Sequence, residues 1–375
     1  MIKIALIGCG KVAEQHVINI QKIPGFEIVG ICDREILMAE QTSQRFNIAR
    51  YFDDPEELLQ ETAPEIVHIT TPPQSHYTLG VLCVEAGCHV LIEKPFTVNA
   101  QEAAELLSLA NGKSLKISVN HNAQFSHAAL RMRQMVKDGY LGKRPVHMES
   151  IFCYNLGDQS FARAFLGDKR HWLRQLPGKL LHNIISHGIG QIAEFLYDED
   201  PQVMALGFTS DFLLRLGESE IIDELRVIIR DKRDTTAYFT FSSQMTPKLH
   251  QFRIFGSENG LVFDDDRQLV IKLSGKIYKS YLDQFLPPIL DAKQYLVNVT
   301  RNVQKFLTGD FHNDACTRLL IEAFYRSVTK DSPVPVSHRE IMTTARIMDK
   351  VFEQVAEASF APIPLTEGRS VSIHR

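Results

Sequence analysis

The sequence predicts an α/β chain in two parts. An N-terminal doubly wound parallel sheet is followed by an α+β domain with an open, mostly antiparallel sheet. Three observations carry this. The first 120 residues alternate Ile- and Val-rich runs with helical patterns, the signature of strand–helix–strand units. A G-x-G-x-x-A pattern, Gly8, Gly10 and Ala13, lies between the first apolar run and the first helix. After Asn122 the rhythm changes to runs rich in β-branched and aromatic residues, separated by short turn-rich spacers. A length of 375 residues suits two domains. We divide them as 1–122, a dinucleotide-binding domain, and 123–360, a substrate-binding and oligomerisation domain, with a loose tail at 361–375.

The first runs, Ile2 to Gly8, Glu27 to Asp33, Glu65 to Thr70, His89 to Glu93 and Lys116 to His121, are almost continuously apolar. Such runs suit parallel strands covered on both faces. Helices are expected at Val12 to Lys22, Ile36 to Phe46, Ser75 to Ala86 and Ala100 to Ala110. A helix from Ser126 to Asp138 leads into the second part, where another spans Leu180 to Leu196. The runs VMALGF, LRVIIR, TAYFTFS, HQFRIFG, LVF and LVIKL follow as strands joined by hairpins, and FRIFGSENG reads as one such hairpin. Two helices, around Asp314 to Thr329 and Ser337 to Ala356, complete the pattern.

Composition narrows the function classes. Charged residues make up 23% and the net charge is −4, with no long Lys/Arg run, so no nucleic-acid footprint is present. The six cysteines include no C-x-x-C pair and several sit in apolar runs, which fits a reducing cytoplasm better than a disulfide framework. No stretch reaches the roughly 18 apolar residues of a membrane span, and the N-terminus enters a strand without a leader pattern. A cytoplasmic protein with no membrane partner is expected.

The glycine loop carries the first functional reading. Gly8 permits the tight turn, Gly10 lets the backbone approach a pyrophosphate, and Ala13 lets helix and strand pack closely. Lys11 and Val12 open the helix, whose free N–H groups and positive dipole end face the phosphates. Asp33, at the end of the second strand, can accept from a ribose 2′-hydroxyl and repels a 2′-phosphate, which favours NAD. Arg34 beside it can stack on adenine or meet a 2′-phosphate, which keeps NADP as the alternative. Cys9, inside the loop, is expected to pack.

In an open parallel sheet, ligands bind outside the carboxyl ends of the strands. There the sequence places T-P-P-x-x-H (Thr71 to His76), E-K-P (Glu93 to Pro95) and N-H-N-A-Q-F (Asn120 to Phe125). With the glycine loop and a later helix holding His187, these motifs resemble the glucose–fructose oxidoreductase and inositol dehydrogenase (Gfo/Idh/MocA) family over essentially the whole chain. E-K-P is the most specific of them. The resemblance implies hydride transfer between a nicotinamide and the secondary hydroxyl of a sugar, cyclitol or nucleotide sugar, in a site between two domains. It places Lys94 beside the substrate hydroxyl and nicotinamide. Thr71, Pro72, His76 and Glu93 then line the nicotinamide end, and Asn122 lies beside the site. It also implies a homodimer or homotetramer, formed through the sheet of the second domain. Where the family often has an arginine, this chain has Gln124.

Alcohol oxidation needs a base as well as a hydride acceptor, and a histidine is suited to that role. In the resembling family the later helix reads D-x-x-x-H-x-x-D. Here His187 is the candidate acid/base, Asn183 replaces the first aspartate and Gly190 the second. Asn183 and His187, four apart, share a helix face. Asn183 can orient substrate or imidazole but cannot take a proton, so Lys94 and His187 become the proton-handling pair. His182 is expected on the opposite side as a structural residue. A metal set of His182, His187 and Cys153 or Asp198 lacks ligand spacing, and none is expected. The segment HWLRQLPGK, with Trp172 and Arg174, either gates or binds substrate or is a surface loop. Two rival functions are weighed: an NAD-dependent glycosidase of the same fold, and a non-catalytic NAD-binding regulatory protein, which the missing carboxylates suggest.

Overall fold

Residues 1–156, 165–311 and 314–357 are described by the structure, a computed structural model of the chain. The expected tail at 361–375 lies outside them. Strands β1 (Ile2–Ile7), β2 (Phe26–Cys32), β3 (Tyr51–Phe52), β4 (Ile66–Ile69), β5 (His89–Ile92) and β6 (Ile117–Val119) pair in parallel in the order β3-β2-β1-β4-β5-β6. The helices of this half are α1 (Lys11–Ile20), α2 (Ile36–Phe46), α3 (Pro55–Thr62), α4 (His76–Glu85) and α5 (Ala100–Gly112). The order reverses between β1 and β4, where loops leave in opposite directions and open a crevice. Two elements, β3 and α3, were not expected from the sequence. β3 is only two residues long, and α3 starts at Pro55 behind an Asp54 cap that accepts from the Glu56 N–H at 2.9 Å.

The second half continues with α6 (His127–Lys137), β7 (His147–Cys153), α7 (Lys179–Ile184) and α8 (Ser186–Ala193). Next come β8 (Gln202–Phe208), α9 (Asp211–Arg215), β9 (Glu224–Arg230), β10 (Thr236–Ser242), β11 (His250–Phe255), β12 (Asn259–Asp264) and β13 (Leu269–Ser274). Helices α10 (Leu282–Leu307), α11 (Asp314–Thr329) and α12 (His338–Glu357) end the described chain. The sheet runs β13-β12-β11-β7-β10-β9-β8, antiparallel except for the parallel pair β7–β10. Three features depart from expectation. The central strand β7 was missed because Glu149 and Ser150 interrupt its apolar pattern. The helix at Leu180 to Leu196 is two helices meeting at Ile185. The 26-residue α10 was unforeseen, with Pro287 and Pro288 inside it reading as a break.

Each sheet has its own core. Ile4, Leu6, Ile66, Val90 and Leu91 are fully buried in the first. Met148, Phe239, Phe252 and Phe263 are buried in the second, under α7 and α8. Leu320, Ile321 and Phe324 of α11 return to the first core, so the chain closes on the sheet it began with. Among the described residues no helix is long and apolar enough to cross a membrane, and no group of three or more His, Cys, Asp or Glu could hold a metal.

Candidate active site and its relatives

The glycine loop follows β1. Gly8 has φ +103°, and a Cβ there would lie 2.8 Å from the Thr70 carbonyl carbon, so both backbone conformation and the adjoining β4 loop require glycine. At Gly10 a Cβ would meet nothing within 4 Å. The ground in front of that residue is open. No side chain caps α1, whose first turn therefore presents its N–H groups beside this open ground. Asp33 anchors the loop from the end of β2: one carboxylate oxygen accepts from the Cys9 N–H at 2.7 Å, the other from the Glu35 N–H at 3.0 Å. Arg34 is almost fully exposed, 3.9 Å from Glu35. Ala13 is buried, whereas Lys11 and Val12 are exposed. Burial, with Asp33 nearby, pushes the Cys9 thiol up to about 12, which suits packing and not redox work. An open glycine, an uncapped helix start and a carboxylate one strand away fit an adenine dinucleotide.

The second strand end is the E-K-P turn after β5, where the Lys94–Pro95 bond is cis. His76 ties it to the T-P-P loop, with one ring nitrogen 2.9 Å from the Pro95 carbonyl and the other 2.8 Å from the Thr71 carbonyl. Burial pulls the His76 imidazole down against the pull of these carbonyls. A 3-10 turn at Pro73–Ser75 follows Thr71 and Pro72. Its Gln74 amide donates to the Trp172 carbonyl at 2.8 Å, so the HWLRQLPGK segment bridges to this loop.

Glu93 is buried at the inner end of a hydrogen-bonded chain. His16 Nε2 lies 2.8 Å from its carboxylate, His16 Nδ1 lies 2.8 Å from His68 Nδ1, and His68 Nε2 lies 3.0 Å from the Tyr325 hydroxyl. One arrangement satisfies all of these atoms: Tyr325 donates to His68, His68 to His16, and His16 to Glu93. Asn120 adds its amide to the same carboxylate at 2.5 Å. Burial alone would push the Glu93 carboxyl up, but the bonds from His16 and Asn120 outweigh it and hold the group below its usual range. An ionised carboxylate therefore stands next to Lys94.

Lys94 reaches across to the second half of the chain. Its Nζ donates to the Asn183 backbone carbonyl at 2.9 Å and to the Asn183 side-chain oxygen at 3.1 Å. In an unbroken helix that carbonyl would accept from the His187 N–H. Here the junction at Ile185 falls between the two residues, and the lysine takes the carbonyl. Burial pulls the Lys94 ammonium down and Glu93 pulls it up, with burial the larger effect. Burial, then the Lys94, His121 and His250 charges, push the His187 imidazole well below its usual value, so it is neutral at pH 7. Its ring stacks on Phe152 at 5.7 Å, and its Nδ1 is buried with no partner among the described residues.

Two further imidazoles belong to this cluster and were missed in the sequence. His121 follows β6, and burial, then Lys94, lowers it to about 4. It occupies the ground that a side chain at 190 would need, since a Cβ on Gly190 would sit 2.9 Å from His121 Nδ1. The signal was there, because H-N lies at a cofactor-side strand end beside a glycine in an aspartate's place. His250, tilted on Phe152 at 4.1 Å, comes from β11 and carried no local motif. Gly190→Asp, which would restore the resembling pattern, is expected to destabilise the fold by about 1–3 kcal/mol and to lower turnover, checked by urea unfolding and steady-state rates.

Other predicted residues lie less centrally. The Asn122 amide donates to the Thr317 hydroxyl of α11 at 3.1 Å. Gln124 is buried and donates to the Gly190 carbonyl at 2.9 Å, which spends its amide on the fold. His182 is buried, stacked on Phe352 at 4.9 Å. With His121, Ser186 and Thr344 it lines a cavity of about 20 Å³ behind the E-K-P turn, room for a single water.

The comparisons with known proteins agree with this architecture. Residues 2–121 match a family model described as an oxidoreductase family with an NAD-binding Rossmann fold. A D-glucoside 3-dehydrogenase of Escherichia coli is 30% identical over 145 residues, covering 38% of this chain and 41% of that protein. A scyllo-inositol 2-dehydrogenase (NADP(+)) of Bacillus subtilis is 33% identical over 102 residues, covering 27% of this chain and 28% of that protein. The chain thus matches these curated relatives over less than half of their length. An NAD binding oxidoreductase from Klebsiella pneumoniae superposes with a TM-score of 0.75 at 19% identity, covering 95% of this chain and 96% of that one, so the shared fold extends through both sheets. Residues 2–121 thus match the NAD-binding Rossmann domain of the Gfo/Idh/MocA oxidoreductases, and the two-sheet fold of the whole chain is shared with a solved NAD binding oxidoreductase.

Proposed function

We propose that the protein is an NAD(P)-dependent oxidoreductase acting on the secondary hydroxyl of a sugar, cyclitol or nucleotide sugar. Residues 1–122 would hold the cofactor and residues 123–360 would supply the substrate side. The observation that carries the reading is the bond from Lys94 Nζ to both oxygens of Asn183, which joins the E-K-P turn to the helix pair holding His187. Gly8, Gly10 and the start of α1 would hold the pyrophosphate, Asp33 the adenine ribose, and the Thr71–His76 and Glu93–Lys94 turns the nicotinamide end. Bound there, the cofactor supplies a hydride acceptor.

The chain's own residues handle the proton. Two of the three Lys94 ammonium protons are committed to Asn183, and the third is free for a substrate oxygen. A cation held there stabilises alkoxide character as the hydroxyl ionises. The neutral His187 imidazole takes up the hydroxyl proton. Asn183, bonded through both its oxygens, fixes the lysine without competing for that proton. Glu93, kept ionised by His16 and Asn120, keeps the lysine charged against its burial.

The experiment is a titration with NAD and NADP, followed by a panel of polyols, sugars and nucleotide sugars read at ~340 nm, the absorbance of the reduced nicotinamide. Cofactor reduction with at least one member is expected. Cleavage of glycosides without net reduction would transfer the site to the glycosidase reading. Cofactor binding with no reaction on any member would favour a regulatory role.

Cofactor choice gives a second expected result. Asp33→Ala should weaken NAD binding about 10- to 100-fold, the worth of a hydrogen bond to a carboxylate. Because the same change removes repulsion toward a 2′-phosphate, the ratio of NADP to NAD affinity should rise by at least about 10-fold. Fluorescence titration with both cofactors checks it.

A further inference from the structure

Helix α10 is attached the wrong way round for a monomer. An ordinary surface helix buries its apolar stripe and shows its polar face to water. Here the polar face is bound to the protein. The Asn298 amide donates to the Val270 carbonyl at 3.1 Å and its oxygen accepts from the Val270 N–H at 3.2 Å. The Gln294 amide does the same for Lys272, at 3.0 and 2.7 Å. Two side-chain amides thus stand in for a neighbouring strand along β13, the edge of the seven-stranded sheet.

The opposite face is apolar and exposed, and its spacing is regular. Leu282, Ile289, Leu296 and Val303 recur every seven residues. Phe285, Ala292, Val299 and Phe306 recur every seven residues, three after the first set. This is an unbroken 3-4 seam of four heptads, the pattern that packs against another helix and not against a sheet or a flat surface. Every large member is more than half exposed. Pro287 and Pro288 lie off the seam.

We propose that this seam is an interface between two copies of the chain, formed by α10 packing antiparallel against α10 of a second copy. Three features select this occupant and orientation. First, an antiparallel pair in full overlap sets Leu282 against Phe306, Phe285 against Val303, Ile289 against Val299, and Ala292 against Leu296. Ala292, the smallest residue of the seam, then meets a leucine, whereas a parallel pair sets it against its own copy and stacks phenylalanine on phenylalanine. Second, the charges of α10 are polarised: Asp283 and Asp291 lie in its first half with Lys293 near the middle, and Arg301 and Lys305 in its second. Antiparallel packing sets acidic half against basic half, and opposes the two helix dipoles favourably. Third, α10 is about 39 Å long. With roughly 100 Å² exposed on each of the seven large seam side chains, the face offers on the order of 700 Å² per copy, close to the ~800 Å² per partner of a stable interface.

This interface is distinct from the outer face of β8–β10, where Met204, Phe208, Ile228 and Tyr238 are also exposed. The test is sedimentation of the full chain, comparing wild type with Leu296→Glu/Val299→Glu on the helix and Tyr238→Asp on the sheet. The seam residues are solvent-exposed, so the helix variant should keep its thermal transition and its NAD binding. The expected result is an assembly whose mass falls by half in the helix variant. A second measurement fixes the orientation. Under mild oxidation Ile289→Cys/Val299→Cys should form a disulfide-linked dimer, and Val299→Cys alone should not, because residue 299 faces residue 289 of the other copy. A monomeric wild type, or an assembly unchanged in the helix variant, would overturn the proposal. So would efficient cross-linking of Val299→Cys alone.

Discussion

Lys94→Met is expected to lower kcat by about 10²- to 10⁴-fold, the range over which a positioned proton-handling group contributes, while leaving NAD affinity within a few-fold of wild type. The reasoning starts from burial. Lys94 is half-buried beside an ionised carboxylate and donates to two oxygens of Asn183. Methionine matches its length but leaves those oxygens without a donor and the substrate oxygen without a cation. Loss of transition-state stabilisation with cofactor binding intact is a fall in kcat, not a rise in cofactor Kd. His187→Ala should act on a different part of the profile. Its imidazole is held well below its usual value, so it is deprotonated above that point and protonated below. The wild-type oxidation rate should therefore rise with pH along a limb centred below ~6.5, the ordinary histidine value, and the alanine variant should lose that limb. Steady-state rates from acid to neutral pH measure both effects.

The second large effect separates binding from folding at the glycine loop. Gly10→Leu places a side chain where a Cβ meets nothing within 4 Å, and Gly10 has an ordinary φ of −75°. Stability should change by no more than about 1 kcal/mol, the range of N-cap substitutions. NAD affinity should fall about 100-fold or more, because the leucine fills the pyrophosphate's approach. Gly8→Ala should behave differently. With φ +103° and the Thr70 carbonyl carbon 2.8 Å from the new Cβ, the fold itself should lose about 2–4 kcal/mol, and binding should fall with it. Urea unfolding and NAD titration of both variants give the four values. A Gly10→Leu protein that binds NAD as wild type does would remove the loop from the cofactor site.

Legibility in the sequence followed locality. The glycine loop, Asp33, and the T-P-P and E-K-P turns were readable because each is a short pattern at a strand end. Their structural setting, a parallel sheet with a switch point between β1 and β4, follows from the apolar periodicity. Long-range pairings were not readable. Nothing near His16 or His68 in sequence announces that they join Tyr325 and Glu93 in one buried chain, since the four residues come from four distant segments. His250 was missed for the same reason. Asn183 in place of an aspartate was visible, but its consequence was not. The helix breaks at Ile185, and the freed Asn183 carbonyl becomes a lysine ligand, which only the fold reveals. For α10 the signal was present but no element was assigned from it. Eight seam positions on a strict 3-4 spacing from Leu282 to Phe306 mark a helix in spite of Pro287 and Pro288.

The most direct measurement follows the hydrogen itself. Panel compounds carrying deuterium on the carbinol carbon are incubated with the protein and NAD or NADP, and the reduced cofactor is weighed by mass spectrometry. A hydride-transferring site predicts reduced cofactor one mass unit heavier with wild type, and a fall of about 10²-fold or more in its formation with Lys94→Met. Reduced cofactor without the label would contradict the account, as would equal labelling by wild type and Lys94→Met.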